Sequence, residues 1–411
     1  MLAETAAAGV RPTDKSETRI DIALLVSALF LQRFSLPFGT TLLHLELVAI
    51  GIILFYQFLS GKKLVCQYDR LLWFLAFAFT NTCSLLLNFK STMLTGYFQF
   101  VVFFFLFTLI RRSTPDQYKS TLQAFQFVVL VLSGLGVAQF VAQFAVDGGA
   151  LMNFYGITPH FLHLLPVGRF EGSLLKSNAL FLSEPSTFSQ ITALGILIEV
   201  LEFHRPRYLA VMALGFLAAY SGTGLLLLLI FLPLAGLRHG RAAFSALLVA
   251  IFVVGLVATG IIHLYAFTSR VGEFEDTGSS GFLRFVAPFW SAAKNFDTAS
   301  LQALLLGNGP GTVKTFSDLW YATGEVNWLK HFYEYGIIGS FIFCCFLASC
   351  LRKSRCRGLV IVVLLFNYLF EQGTFSLAIV LCTLHGPDPR RRHVDEASRY
   401  GPPLVARSPA G

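Results

Sequence analysis

Apolar runs of about twenty residues, long enough to cross the roughly 30 Å hydrocarbon core of a bilayer, recur from residue 20 to residue 384 of this 411-residue chain. No other feature constrains the fold so strongly. Inside hydrocarbon every backbone N–H and C=O must be satisfied within the chain, and runs of this length achieve that as helices. The pattern predicts an all-α polytopic membrane protein with spans at 20–36, 43–60, 71–88, 93–110, 122–146, 178–203, 207–221, 224–237, 242–265 and 327–350. The last run, 358–384, carries Glu371-Gln372-Gly373-Thr374 at its middle and reads as one long span or two short ones. Short, tilted helices would also suit the sequence around Ser221-Gly222-Thr223-Gly224.

Charge placement arbitrates. Only 13% of the residues are charged, against about a quarter in a soluble domain. With the N-terminus in the cytoplasm, the inner connections hold Lys62, Lys63 and Arg70, then Arg111, Arg112 and Lys119, then Arg205 and Arg207, then Arg238 and Arg241, and finally Arg352, Lys353, Arg355 and Arg357. Each is basic, as the positive-inside rule requires. The outer connections 37–42, 89–92 and 222–224 are short and nearly uncharged, which leaves two large outer segments, 147–177 and 266–326. Arg390, Arg391 and Arg392 draw the tail inside as well, so the number of spans is even and 358–384 splits. The expected architecture is about twelve transmembrane helices with both ends cytoplasmic and the larger outer segment ahead of the last two or three helices. Its parts are a cytoplasmic N-terminus 1–19, a membrane domain 20–384 and a basic, disordered tail 385–411.

The net charge of +8 comes from these short connections, so it signals membrane topology and not nucleic acid. Glu4, Arg11, Asp14, Lys15, Glu17 and Arg19 interrupt the N-terminus, and no cleavable signal peptide is expected there. Seven scattered cysteines, none of them in 266–326, show neither a disulfide framework nor metal-ligand spacing.

Ionisable groups at membrane depth are expensive, which makes each a functional candidate. Glu184 falls about six residues inside the span beginning near Asn178, on the order of 9 Å below the outer surface. Pro185 follows it and is expected to kink that helix, while Ser183, Ser186, Thr187 and Gln190 continue a polar stripe. A polar face bonded to a neighbouring helix would explain the hydroxyls equally well, but not the carboxylate.

Asn327, Lys330, His331 and Glu334 stand at i, i+3, i+4 and i+7 and share one helical face. A Lys330–Glu334 pair could simply neutralise itself, and His331 could be a satisfied structural group or a catalyst. The outer segments add Arg169, Arg270 and Arg284. Arginine suits bidentate recognition of phosphate oxygens. Arg270 has Glu273 and Glu275 beside it to pair with, whereas Arg284 lies among aromatic residues without an acidic neighbour.

The turn Gly307-Asn308-Gly309-Pro310-Gly311 contains no lysine and is not a P-loop; it reads as a rigid turn that delivers the outer segment to its helix. Phe282, Phe285, Phe289, Trp290, Trp320 and Tyr321 make 266–326 too aromatic for a disordered tether. No nucleophile elbow, zinc spacing, Rossmann fingerprint or ATPase motif is present, so ATP bound to this chain does not drive its activity.

These residues resemble the bacterial O-antigen polymerase and O-antigen ligase superfamily. The resemblance lies in Arg169-Phe170-Glu171-Gly172 continuing to Asn178 and Glu184-Pro185-Ser186, in Leu306 to Gly311, and in Glu334-Tyr335-Gly336-Ile337-Ile338-Gly339. Among members the chain looks most similar to polymerases of exopolysaccharides of the xanthan kind. Members usually carry a histidine about nine residues before the glutamate; here that position is Glu325, and the nearby histidine is His331, one turn further in.

The resemblance implies a metal-independent, cofactor-free glycosyltransferase of the bacterial inner membrane. It would act at the periplasmic face on undecaprenyl-diphosphate-linked oligosaccharide, surrounded by membrane lipid and assisted by a chain-length regulator and export proteins. Arg169 and Arg284 would hold the diphosphate. Glu325, His331 or Glu184 would take the acceptor proton, and Asn327, Lys330, Glu334, Gly307, Gly309 and Gly311 would support them. A ligase of the same superfamily and a transporter of lipid-linked oligosaccharide are the alternative readings. A transporter would spread its charges through a central cavity, whereas here they gather at the outer face.

Overall fold

The computed structural model describes residues 15–38, 41–60, 64–90, 93–145, 163–164, 170–171, 174–239, 275, 277, 282, 286–315, 327–352, 354, 377 and 379–387. Helix α1 (Lys15–Phe30) leads into the hairpin β1 (Phe34–Phe38) and β2 (Thr41–His44). Then come α2 (Leu45–Leu59), β3 (Leu64–Cys66), α3 (Tyr68–Leu87), α4 (Met93–Phe105), β4 (Leu109–Ser113) and α5 (Pro115–Ala142). The short strands β5 (His163–Leu164), β6 (Phe170–Glu171) and β7 (Leu174–Leu175) precede α6 (Pro185–Ile198), α7 (Pro206–Ala219) and α8 (Gly222–His239). After them lie α9 (Ala287–Thr298), α10 (Leu301–Leu306), α11 (Asn327–Arg352) and β8 (His385–Pro387).

The fold is mostly helical. Among the described residues, four stretches are long and apolar enough to cross a membrane: Tyr68–Leu87, Pro115–Ala142, Pro185–Phe203 and Trp328–Arg352. The protein is a multi-pass membrane protein. The spans expected at 242–265 and in 358–376 lie outside the described residues, as do residues 1–14 and 388–411.

Small sheets mark the two ends of the bundle. At one end β4, which carries Arg111 and Arg112 of one basic connection expected inside, lies between β3 (antiparallel) and β8 (parallel). Asp21 of α1 reaches Arg111 of β4 there through a buried 2.5 Å ion pair, and the Thr121 hydroxyl donates to the same carboxylate. The guanidinium of Arg70, fully buried, donates to the carbonyls of Phe107, Leu109 and Cys350. Arg352 closes α11 onto Asp69 at 2.8 Å. Residues 352 and 385 therefore lie at the same end of the bundle. At the other end β1 pairs with both β2 and β5.

Local sequence explains several helix boundaries. Thr114-Pro115-Asp116-Gln117 starts α5 with a complete capping box, with proline at the first turn where its missing N–H costs nothing. At the far end of α6 the Glu199 carboxylate takes the backbone N–H and the guanidinium of Arg205, which fixes the turn into α7. One continuous apolar core runs through α1 to α8 and α11, with Phe77, Phe104, Phe343 and Phe346 at its aromatic centre.

The structure corrects three boundaries. The span drawn at 20–36 ends as a helix at Phe30, because Phe34–Phe38 spends its backbone hydrogen bonds on β2 and β5. The span drawn at 178–203 starts at Pro185; the chain before it is irregular, and Pro185 initiates the helix and does not kink it. The span drawn at 93–110 gives way after Phe105 to a single 3₁₀ turn and β4.

Candidate functional site

The helix predicted at 327–350 is present as α11, but Gly336 breaks it at φ 65°, ψ −169°. The rings of His331 and Phe343 stack at 4.2 Å and 14°. Twelve residues apart on a straight helix they would be separated by about 18 Å. The two arms of α11 therefore bend toward each other, and the polar face formed by Asn327, Lys330, His331 and Glu334 belongs to the first arm.

A break inside a helix strands carbonyls that would otherwise accept from the next turn. Here the glycine turn accepts that role. The Asn308 N–H donates to Tyr333 O and the Gly309 N–H to Glu334 O, each at 3.0 Å. From α3, the Ser84 hydroxyl also donates to Glu334 O at 3.0 Å, and the Asn88 amide donates to Gly307 O at 3.1 Å. The fit is backbone against backbone. A Cβ on Gly307 would stand 2.2 Å from Glu334 O, and one on Gly336 would stand 2.5 Å from Leu305 C and O.

Gly307, Gly309 and Gly311 all have positive φ, at 78°, 96° and 77°, which L side chains adopt only under strain. The Glu334 side chain is fully buried beneath the turn and accepts the Val313 N–H at 3.3 Å. Glycine turn and helix break thus form one interlocked unit.

The site lies toward the end of the bundle opposite the β3–β4–β8 sheet: Ser84 is sixteen residues along α3 from Tyr68, or about 24 Å from the end of α3 that meets that sheet.

His331 is 2% exposed, in a cage of Phe100, Phe104, Tyr335 and Phe343 rings. Lys330 is half-buried on the neighbouring turn. Glu325, Arg284 and Arg169 lie outside the described residues, so the structure does not place the expected diphosphate ligands, and only the backbone of Asn327 is described.

Glu184 sits at the N-cap of α6, half-buried, with its Oε2 accepting from the Ser186 hydroxyl at 2.9 Å. Behind it the chain 177–183 is held in an unusual form: Ala179 and Leu180, neither of them glycine, have φ of 53° and 68°. Such strain persists only where surrounding structure enforces it. Gln139 of α5 does so, its Oε1 accepting from the Ser177 hydroxyl (2.8 Å), the Asn178 N–H (3.1 Å) and the Leu180 N–H (3.3 Å). Its Nε2 donates to Asn178 Oδ1 at 3.0 Å. The buried guanidinium of Arg33 donates to Leu180 O at 2.7 Å.

Arg33 and Gln139 are the residues that sequence reasoning missed. An arginine thirteen residues into an apolar run was a visible signal. A glutamine in a long span was a weaker one. Glu184 and the glycine turn lie at the same end of the bundle, because Arg33 follows α1 as Asn88 follows α3, and both helices start at the β3–β4–β8 end. Among the described residues no three His, Cys, Asp or Glu side chains converge.

Residues 22–385 match the family described as WcaD colanic acid polymerase. No curated protein matches the chain.

Proposed function

We propose, from the premise that this chain belongs to the WcaD colanic acid polymerase family, that it polymerises an exopolysaccharide from undecaprenyl-diphosphate-linked repeat units at the periplasmic face of the inner membrane. Membership makes it a polysaccharide polymerase of the glycosyltransferase type; the carrier, the face and the residue roles are the proposal.

The hydroxyl of the next repeat unit attacks the anomeric carbon of the growing glycan. The bond from that carbon to the diphosphate oxygen breaks, and undecaprenyl diphosphate leaves with the electron pair. A carboxylate takes the hydroxyl proton. The donor is already activated, so the protein's task is to place two glycans and stabilise the departing charge. Arg169 and Arg284 would hold the diphosphate, since a guanidinium binds phosphate oxygens in pairs.

Glu184 and Glu325 are the proton acceptors this reading favours. Glu184 is half-buried at the N-terminal end of α6, whereas the enclosed ring of His331 suits a supporting role. Both chain ends would be cytoplasmic, in keeping with the return of β8 to the β3–β4 sheet.

The observation that carries the reading is the interlock of Gly307–Val313 with the break at Gly336; with 266–326 outside, that interlock would tie the end of the outer segment to a membrane helix at headgroup depth. A lipid-linked diphosphate would lie at that depth.

The test is the carrier-lipid pool of a deletion strain, resolved by mass spectrometry. Accumulated carrier bearing one complete repeat unit, with polymer lost, is expected. Accumulated long lipid-linked polymer would refute polymerisation in favour of ligation, and units trapped in the cytoplasmic leaflet would point to transport. Restoring Arg284→Ala at normal protein levels should leave polymer yield low; full yield would remove Arg284 from the site.

A further inference from the structure

Helix α9 is built inside out for a helix at a water-facing surface. Its protein-facing side consists of Ala287, Pro288, Ser291 and Asn295. Its outward side carries Phe289, Trp290 and Phe296, which are 63%, 59% and 51% exposed, together with the smaller or polar residues Ala293, Lys294, Asp297 and Thr298. A water-soluble surface helix turns its large apolar residues inward. Exposed Leu301 and Leu305 continue the apolar side into α10.

The level of α9 is fixed by its partners. Phe289 lies 5.2 Å from the ring of Trp328, and Phe296 lies 5.0 Å from that of Phe332, both on the first arm of α11. That arm ends at the break held by Ser84, toward the end of the bundle opposite the β3–β4–β8 sheet, which is the outer end with the basic connections inside. Exposed apolar residues of α3 (Leu86, Leu87) and of α11 (Ile337, Ile338) stand at the same level, so the apolar side of α9 extends the lipid-facing surface of the bundle. Lys294, Asp297 and Thr298 are exposed as well; Asp297, seven residues after Trp290, shares its side at the C-terminal end of α9, so the polar groups gather in the second half of the helix and turn that end toward water.

Amphipathic helices with aromatic residues on one side and a polar border on the other rest within the headgroup and acyl boundary, where tryptophan concentrates. We propose that α9 is an interfacial helix lying in the outer leaflet, with Phe289, Trp290 and Phe296 among the lipid acyl chains. Part of the segment 266–326, read from sequence as water-compatible, is on this proposal a membrane-surface element.

The chain has four tryptophans, so Trp73→Phe, Trp320→Phe and Trp328→Phe together leave Trp290 as the sole reporter. In nanodiscs of phosphatidylcholine brominated near the headgroup end of its chains, Trp290 emission should fall by about twofold relative to unbrominated lipid, as for an interfacial residue, while aqueous acrylamide has little effect. Strong acrylamide quenching without bromolipid quenching would overturn the proposal in favour of a solvent-facing helix. Quenching by neither would overturn it in favour of a helix covered by protein. Should the triple variant fail to fold, Phe289→p-benzoylphenylalanine in the otherwise unaltered chain decides the matter: photolysis should yield lipid adducts, and protein–protein adducts or water-quenched product alone would refute it.

Discussion

Replacing Gly307 with alanine should disable the polymerase, and the same replacement four residues later should not. Gly307 has φ 78° and ψ −180°, a region essentially reserved for glycine that costs other residues about 1–3 kcal/mol. Its added Cβ would also stand 2.2 Å from the backbone oxygen of Glu334, which cannot rotate aside. The turn must therefore lift from α11. Lifting it forfeits the hydrogen bonds Asn308 N–H to Tyr333 O, Gly309 N–H to Glu334 O, and Asn88 to Gly307 O. At about 1 kcal/mol each the loss is about 3 kcal/mol, or about 100-fold in the fraction of molecules with the turn seated.

Gly311 is the internal control. It shares the positive φ, at 77°, but nothing lies within 4 Å of its would-be Cβ, so alanine there costs only the left-handed strain, about 1–2 kcal/mol. Each variant would be expressed in the deletion strain at matched protein level, with polymer yield and thermal unfolding in detergent as readouts. With seating shifted ~100-fold, Gly307→Ala should retain about a tenth of the yield or less, whereas Gly311→Ala should retain most of it. Equal losses, or full activity of Gly307→Ala, would show that the interlock is not needed for polymerisation.

Three further outcomes follow from buried polar groups. Gln139→Ala leaves the buried N–H of Asn178 without its acceptor and should destabilise by about 1–3 kcal/mol, read as a lower unfolding temperature together with reduced polymer yield. Asp21→Ala strands Arg111 at 4% side-chain exposure and should cost about 3–5 kcal/mol; the double variant Asp21→Leu, Arg111→Met should recover part of that stability in the same melt. If His331 supports by packing, His331→Phe should keep the stack on Phe343 and most of the polymer yield. His331→Ala should lose about 2–4 kcal/mol through the cavity it leaves, whereas loss of yield in a stably folded His331→Phe would return the ring to catalysis.

The helices were legible because hydrocarbon leaves an apolar run of span length little choice of backbone. The connection that carries Arg111 and Arg112 was legible too, and β3, β4 and β8 meet there at one end of the bundle. What escaped was irregular backbone held from a distance. Nothing near 177–183 in sequence announces that it leaves the helix: Gln139 acts from 39 residues away and Arg33 from 147. Pro185 was a correct signal with its meaning reversed, because proline suits the first turn of a helix as well as it breaks the interior.

Each glycine cluster advertised itself locally, but no spacing rule says that two of them will close on each other. That fit rests on the absence of a Cβ at Gly307 and Gly336 at once, on segments nearly thirty residues apart. Composition misled in the same way at α9. Its aromatic residues were visible, and they argued for order where 286–315 is described, but a count of residue types does not say which side of a helix they occupy. Facing is a property of the packed molecule. Ser291 and Asn295 turned inward and Phe289 and Trp290 turned outward have the composition of a soluble helix and the orientation of one solvated by lipid. The same consideration governs the candidate site: with α9 in the outer leaflet as proposed, a glycine turn seated on a broken helix beside it would suit the proposed substrate, which has a polar diphosphate head and a long hydrocarbon tail.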